Sequence, residues 1–263
     1  MTKRALKRMA REGAYETGQY GDDAKVRRLP IDVRERGNSW NPLGHDGAPN
    51  NPERDQSYLK TIKPKSPGQA QLMEAIDEKN LVMALGPAGT GKTYIAISKA
   101  VEALEAGKVG RIVLSRPAVE AGESIGYLPG DMEDKLAPYL RPLYDALTDR
   151  LSVKRMRALM AEGAIEIAPV GFMRGRTLNN AFVVIDEAQN CTYMQLKMLL
   201  TRLGWSSTMV VTGDPNQSDL LPGISGLADV AARFEAVANI AVVRLADRDI
   251  VRHPLVAEML GVL

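Results

Sequence analysis

The chain has 263 residues, a formal net charge of +2, 45% hydrophobic, 25% charged and 5% aromatic residues. That composition suits one α/β domain with an appendage, its core built from Leu, Val, Ile, Ala and Met. It excludes a disulfide scaffold, because Cys191 is the single cysteine, and a helical membrane span, because no apolar run approaches about 20 residues.

Residues 1–60 are rich in Gly, Pro, Asn and charge and carry no sustained apolar period. Lys3, Arg4, Lys7, Arg8 and Arg11 fall among residues 1–11 with no acid between them. This extension reads either as a solvated tail or as a basic arm for nucleic acid or a neighbouring subunit. With no apolar stretch behind the basic start there is no signal peptide, and the expected compartment is the cytoplasm.

From residue 61 the pattern becomes regular. Residues 81–85 (LVMAL) form an apolar run ending at Gly86, the pattern of a buried parallel strand. Helical spacing follows over 92–106, with Gly107 as its stop. Residues 111–115 (RIVLS) and, more weakly, 165–169 read as strands. The stretch 116–150 between them is rich in Gly and Pro and holds the loop after the second strand. Residues 182–185 (FVVI) read as a further buried strand. An amphipathic helix over 192–203, closed by Gly204, leads to strands at 208–212 and 240–245, with a helix over 227–237 between them. Strands alternating with helices predict a mostly parallel sheet covered on both faces.

Three stretches at strand ends carry chemistry. Gly86, Pro87, Ala88, Gly89, Thr90, Gly91, Lys92 and Thr93 satisfy G-x-x-x-x-G-K-[ST] between an apolar strand and a helix. Glycines let successive N–H groups face one anion, the helix adds its positive end, Lys92 sets a charge beside the β- and γ-phosphates, and the Thr93 hydroxyl suits Mg²⁺. The expected ligand is ATP with magnesium. The strand at 182–185 then delivers Asp186, to hold the metal directly or through water, and Glu187, to polarise an attacking water. That adjacent pair favours hydrolysis over phosphoryl transfer to a metabolite. Third, Gln217 in TGDPNQ follows another strand, where an amide can report the γ-phosphate; a plain Gly-Asp-Pro turn is the alternative. Cys191 reads as a small semi-buried residue and His253 as a structural one.

The strings GPAGTGKT, SRPAVEAGESIGYLPGD, FMRGRTL, VVIDEAQN, LLTRLG, TGDPNQSDL, SGL and DIVRHPLV occur in this order. Together they resemble the PhoH family of phosphate-starvation-inducible ATPases, over residues 61–263. That family in turn resembles the first motor domain of superfamily one helicases. The resemblance implies a P-loop NTPase with a RecA-like core, an association with RNA, and assembly as a homo-oligomer, in one form a hexameric ring. It places Gln69, in SPGQAQ, at the adenine-reading glutamine and Gln217 at the third helicase motif. Many members carry a structured, often KH-like segment ahead of the core, but residues 1–60 hold no GXXG clamp in a helical setting. No nuclease domain is expected after the core.

Hydrolysis in such folds needs an arginine opposite the γ-phosphate. With one motor domain it must come from the same domain or another subunit, which favours an oligomer. Arg252 is the preferred candidate, beside Arg174, Arg176 and Arg202. Arg116 and Tyr127, in the loop after the second strand, are candidate contacts to RNA phosphate and base, against the acids Glu120, Glu123, Asp131, Glu133 and Asp134. Two other readings stand beside an RNA motor: a nucleotide-controlled assembly module with slow turnover, and a small-molecule kinase.

Overall fold

The structure, a computed structural model, describes residues 61–117 and 132–251. The extension 1–60, Tyr127 and its neighbouring acids, Arg252 and His253 lie outside the described residues or side chains.

Six strands form one sheet: β1 (Leu81–Leu85), β2 (Arg111–Arg116), β3 (Ile165–Pro169), β4 (Ala181–Ile185), β5 (Thr208–Gly213) and β6 (Ile240–Arg244). Their order is β3-β2-β4-β5-β1-β6, and every pair is parallel. Among the described residues six α-helices accompany them: α1 (Pro67–Glu78), α2 (Lys92–Glu105), α3 (Met132–Thr148), α4 (Val153–Ala161), α5 (Tyr193–Leu200) and α6 (Leu227–Phe234).

The pleat sorts each strand between two cores. Val82, Ala84, Ile112, Leu114 and Val184 face one core, with Leu72 and Ile76 of α1, Ile97 of α2, Leu143 and Leu147 of α3, and Met156 of α4. Met83, Leu85, Val113, Val183 and Ile185 face the other, with Leu196 and Leu199 of α5 and Leu227 and Val230 of α6. Helices thus cover both faces, as the buried parallel strands require.

Two local readings change. The stretch 116–150 is not all loop, since α3 occupies Met132–Thr148; Pro138 and Pro142 inside it disguise the helical pattern. The helix predicted over 192–203 is shorter. Thr192 caps α5 through a reciprocal capping box with Gln195, and the helix ends at Leu200. The chain turns there because Leu203 bridges to Leu178 in parallel fashion. Gly204 is not the helix stop. It lets two backbones meet, since a Cβ on it would lie 2.8 Å from Asn179 N and from Leu178 C.

Candidate nucleotide site

Two sequence features meet above β5. Parallel strands lie about 4.8 Å apart, so inserting β5 between β1 and β4 separates their C-terminal ends by roughly 10 Å. A cleft of about 310 Å³ fills that gap, walled by the loop after β1, the acids after β4 and the turn after β5.

The loop after β1 curls through positive φ at Gly86 (141°), Gly89 (85°) and Gly91 (82°). Hydroxyls of Ser66, Ser152 and Thr192 accept N–H bonds at the heads of α1, α4 and α5, but Gly91 at the head of α2 has no side chain to do so. The first-turn N–H groups of α2 are therefore open to an anion. Lys92 Nζ donates to the carbonyls of Gly86 (2.6 Å) and Pro87 (2.8 Å). Burial lowers the pKa of this ammonium, and Asp214, Glu187 and Asp186 oppose the shift.

β4 ends in the two acids. Asp186 is buried, and its Oδ1 accepts hydrogen bonds from Thr93 Oγ1 (2.6 Å) and Thr212 Oγ1 (2.7 Å). The loop after β1 and the strand β4 therefore bring one hydroxyl and one carboxylate together, the donor pair a magnesium ion takes when waters and substrate phosphates complete its shell. The residues fit that ion. No cluster of three or more His, Cys, Asp or Glu suited to a metal occurs among the described residues, so an all-protein cage is not offered there.

Glu187 adopts φ 52° and ψ 42°, a left-handed conformation rare for a residue with a Cβ. The chain thereby turns sharply after Asp186. Glu187 Oε2 accepts from Gln189 Nε2 (2.5 Å). The same amide's Oε1 accepts from Asp214 N (3.1 Å), so one buried glutamine ties the candidate base to the turn after β5. That turn is pinned again by Ser218 Oγ donating to Gln189 O (2.9 Å) and by the reciprocal pair Asn190–Asp219 (2.8 and 2.9 Å). Gln217 is exposed and lines the cleft. Sequence reading missed Gln189; its signal was an amide two residues after the second acid, in VVIDEAQN.

Lys92, Thr93, Asp186, Glu187 and Gln217 thus converge. Gln69 sits differently. It is buried, donating from Nε2 to Thr90 O (3.0 Å) and accepting at Oε1 from Lys65 N (2.9 Å), so it braces the phosphate loop from outside the cleft wall. The arginines are scattered. Arg176 is paired with Glu166, Arg202 donates to the carbonyls of Met198 and Arg176, and Arg174 is exposed. Arg116 faces the acids, Nη1 3.6 Å from Asp186 Oδ2 and Nη2 3.6 Å from Glu187 Oε1. Cys191 is buried, and burial pushes its thiol up to about 12, which makes it unreactive.

A strap after β6 completes the loop's surroundings. Val251 N donates to Gly89 O (2.9 Å). The buried Asp249 accepts from Gly68 N (3.1 Å) at Oδ1 and from Ala246 N (2.9 Å) at Oδ2. Hydrogen bonds from the Ala246 N–H and Ser66 hydroxyl hold its carboxyl below the usual range. A folded pKa below the unfolded value stabilises the fold above the unfolded pKa of about 3.9, and the contribution is lost as pH falls through the folded pKa. Asp249→Ala is expected to cost about 1–2 kcal/mol at pH 7. In urea unfolding the gap between variant and parent should close as the pH is taken below 4; a gap unchanged at low pH would show that the carboxylate charge plays no part.

A family model described as "PhoH-like protein" matches residues 61–263. A PhoH-like protein of Bacillus subtilis is 52% identical over 202 residues, covering 76% of this chain and 63% of its own length. A PhoH-like protein of Mycobacterium tuberculosis is 53% identical over 201 residues (76% and 57%), and Protein PhoH of Escherichia coli 45% over 205 residues (77% and 58%). The chain therefore spans about three fifths of these relatives' length. Among solved structures, a large terminase from a thermophilic bacteriophage aligns with TM-score 0.46 at 13% identity, covering 76% of this chain and 50% of that one. Pif1 helicase of Candida albicans aligns with TM-score 0.38 at 14% identity (72% and 41%). The all-parallel sheet and phosphate loop make a P-loop NTPase fold, and the chain belongs to the PhoH-like family.

Proposed function

We propose that the protein is a magnesium-dependent ATPase that couples hydrolysis to binding, unwinding or remodelling RNA. The observation that carries the hydrolytic part is the braced carboxylate of Glu187 across the cleft from Lys92. Gln189 occupies Oε2 and leaves Oε1 to take a proton from water. Lys92 leaves the carbonyls of Gly86 and Pro87 for the β- and γ-phosphate oxygens and offsets the charge that grows there. Thr93 and Asp186 would hold magnesium, which when bound would supply further neutralisation of the phosphates. Water attacks the γ-phosphorus, the bond to the β-γ bridging oxygen breaks, and ADP and phosphate leave. Gln217, on a turn tied to Glu187 through Gln189, reports the γ-phosphate, and Gln69 meets the adenine edge with the hydrogen-bonding capacity its two bonds leave.

The RNA part rests on the family, whose resemblance to helicase motors motivates it. A homo-oligomer, in the form of a ring, provides the missing arginine, with Arg252 of a neighbouring copy as the candidate. The cytoplasm is the proposed compartment. A nucleotide-controlled assembly module with slow turnover is the second reading, favoured by the dense pinning of the sensor turn to Gln189 and Asn190, just after the acids.

Phosphate release by the purified protein, with and without single-stranded RNA, separates the two. The expected result is turnover that RNA raises and chelation of magnesium abolishes. Slow turnover indifferent to RNA, with ATP still bound, would favour the assembly module.

A further inference from the structure

The guanidinium of Arg116 occupies a position that the hydrolytic scheme does not use. Arg116 ends β2, and β2 flanks β4 on the side away from the phosphate-loop strand. The two strands are locked at this level, where Asp186 N donates to Ser115 O (2.8 Å). Arg116 therefore approaches the acids from behind and forms no part of the cleft wall.

Its partners are the oxygens that nothing else among the described residues holds. Oδ1 of Asp186 is engaged by Thr93 and Thr212, and Oε2 of Glu187 by Gln189. Arg116 faces Oδ2 of the first and Oε1 of the second, both at 3.6 Å. Oε1 is the oxygen Glu187 needs as a base. Both contacts are longer than hydrogen bonds, whereas guanidinium–phosphate pairs close to about 2.7–2.9 Å and are commonly bidentate. The Arg116 side chain is 22% exposed, so solvent reaches it at the end of β2. A loosely held, partly exposed fork exchanges its carboxylates readily for a better-matched anion.

We propose that Arg116 is an RNA-phosphate seat that restrains Glu187 until a backbone phosphodiester draws the guanidinium outward, freeing Oε1 for the attacking water. This rests on the RNA reading above and deepens it by naming the residue through which RNA reaches the hydrolytic site. Arg116 is a positioning residue. It does not line the cleft, so it is not placed as the arginine on the γ-phosphate, and that difference decides the test.

The full chain, Arg116→Gln and Arg116→Lys are compared for turnover without RNA, turnover with a 20-nucleotide oligouridylate, affinity for that oligomer by fluorescence anisotropy, and melting temperature. R116Q is expected to raise turnover without RNA by about two- to fivefold, the range of a partly exposed ion pair. Its stimulation by RNA should fall to a ratio near one, with weaker oligomer binding and an unchanged melting temperature. Lysine has one charged nitrogen and does not bridge both acids. R116K should therefore also raise turnover without RNA, while keeping more of the oligomer affinity than R116Q. A drop in R116Q turnover with nucleotide still bound overturns the proposal and makes Arg116 a catalytic arginine. Unchanged rates with unchanged stimulation leave only a structural ion pair and sink this inference alone. A parent protein that RNA neither binds nor stimulates sinks the RNA reading and this inference with it.

Discussion

Glu187→Gln is expected to keep nucleotide in the cleft and lower kcat by about 10²–10⁴-fold, the range general-base catalysis contributes. The substitution changes little but charge. Glutamine has the same length, and its carbonyl oxygen still accepts from Gln189 Nε2, so the turn after β4 keeps its brace. The left-handed backbone at φ 52° carries over, because both side chains have the same Cβ geometry. What goes is the lone pair that takes a proton. Lys92, Thr93 and Asp186 are untouched, so binding of a fluorescent ATP analogue should hold while phosphate release stops. A second acid is close enough to make this a real test. Asp214 is buried at the cleft and acts on the Lys92 ammonium. Turnover persisting in the glutamine variant would assign the base to Asp214.

Gly86→Ala is expected to remove both nucleotide binding and a large share of stability. Gly86 has φ 141°, a region closed to residues with a Cβ. A methyl group there would also run into the backbone of Leu245, with the carbonyl carbon 3.0 Å away. Leu245 cannot retreat freely, because its N–H donates to Leu85 O (2.7 Å) and continues the β1–β6 ladder. Either the loop distorts or the ladder opens. Together, strain and overpacking cost about 3 kcal/mol. For a domain of this size that lowers Tm by roughly 6–12 °C. Calorimetry with and without ATP measures both losses, and a variant that melts with the parent and still gains stability from ATP would contradict the loop geometry described here.

Much of this was legible in the sequence because its signals are local. LVMAL and FVVI read as strands since parallel strands buried on both faces are continuously apolar, and Leu81–Leu85 is buried at every position. GPAGTGKT and the adjacent acids lie at strand ends, and the sheet brings them together across β5. The rest depends on register between distant segments. Arg116 faces Asp186 and Glu187 because Ser115 is level with Ile185, a pairing no spacing along the chain encodes. Gln69 was matched to base recognition by its place in SPGQAQ. Its bond to Thr90 depends on how α1 docks against the phosphate loop. The hydrogen bond by which Asp249 reaches back to Gly68 spans most of the chain and leaves no local signal. α3 was hidden by its prolines, and the end of α5 was set by a bridge to Leu178, not by a glycine.

The strand order also fixes when an ATP site comes into being on the ribosome. β1 emerges early, but its two neighbours are β5 (Thr208–Gly213) and β6 (Ile240–Arg244), among the last described segments to be translated. At ordinary elongation rates the nascent phosphate loop waits on the order of ten seconds for the strands that flank it. Such non-local parallel pairing is intrinsically slow to form. A nascent chain stalled before β5 presents an apolar strand with open hydrogen-bonding edges on both sides and no place for a triphosphate. ATP retention by stalled translation products would therefore act as a late checkpoint, registering the moment at which the sheet closes around β1.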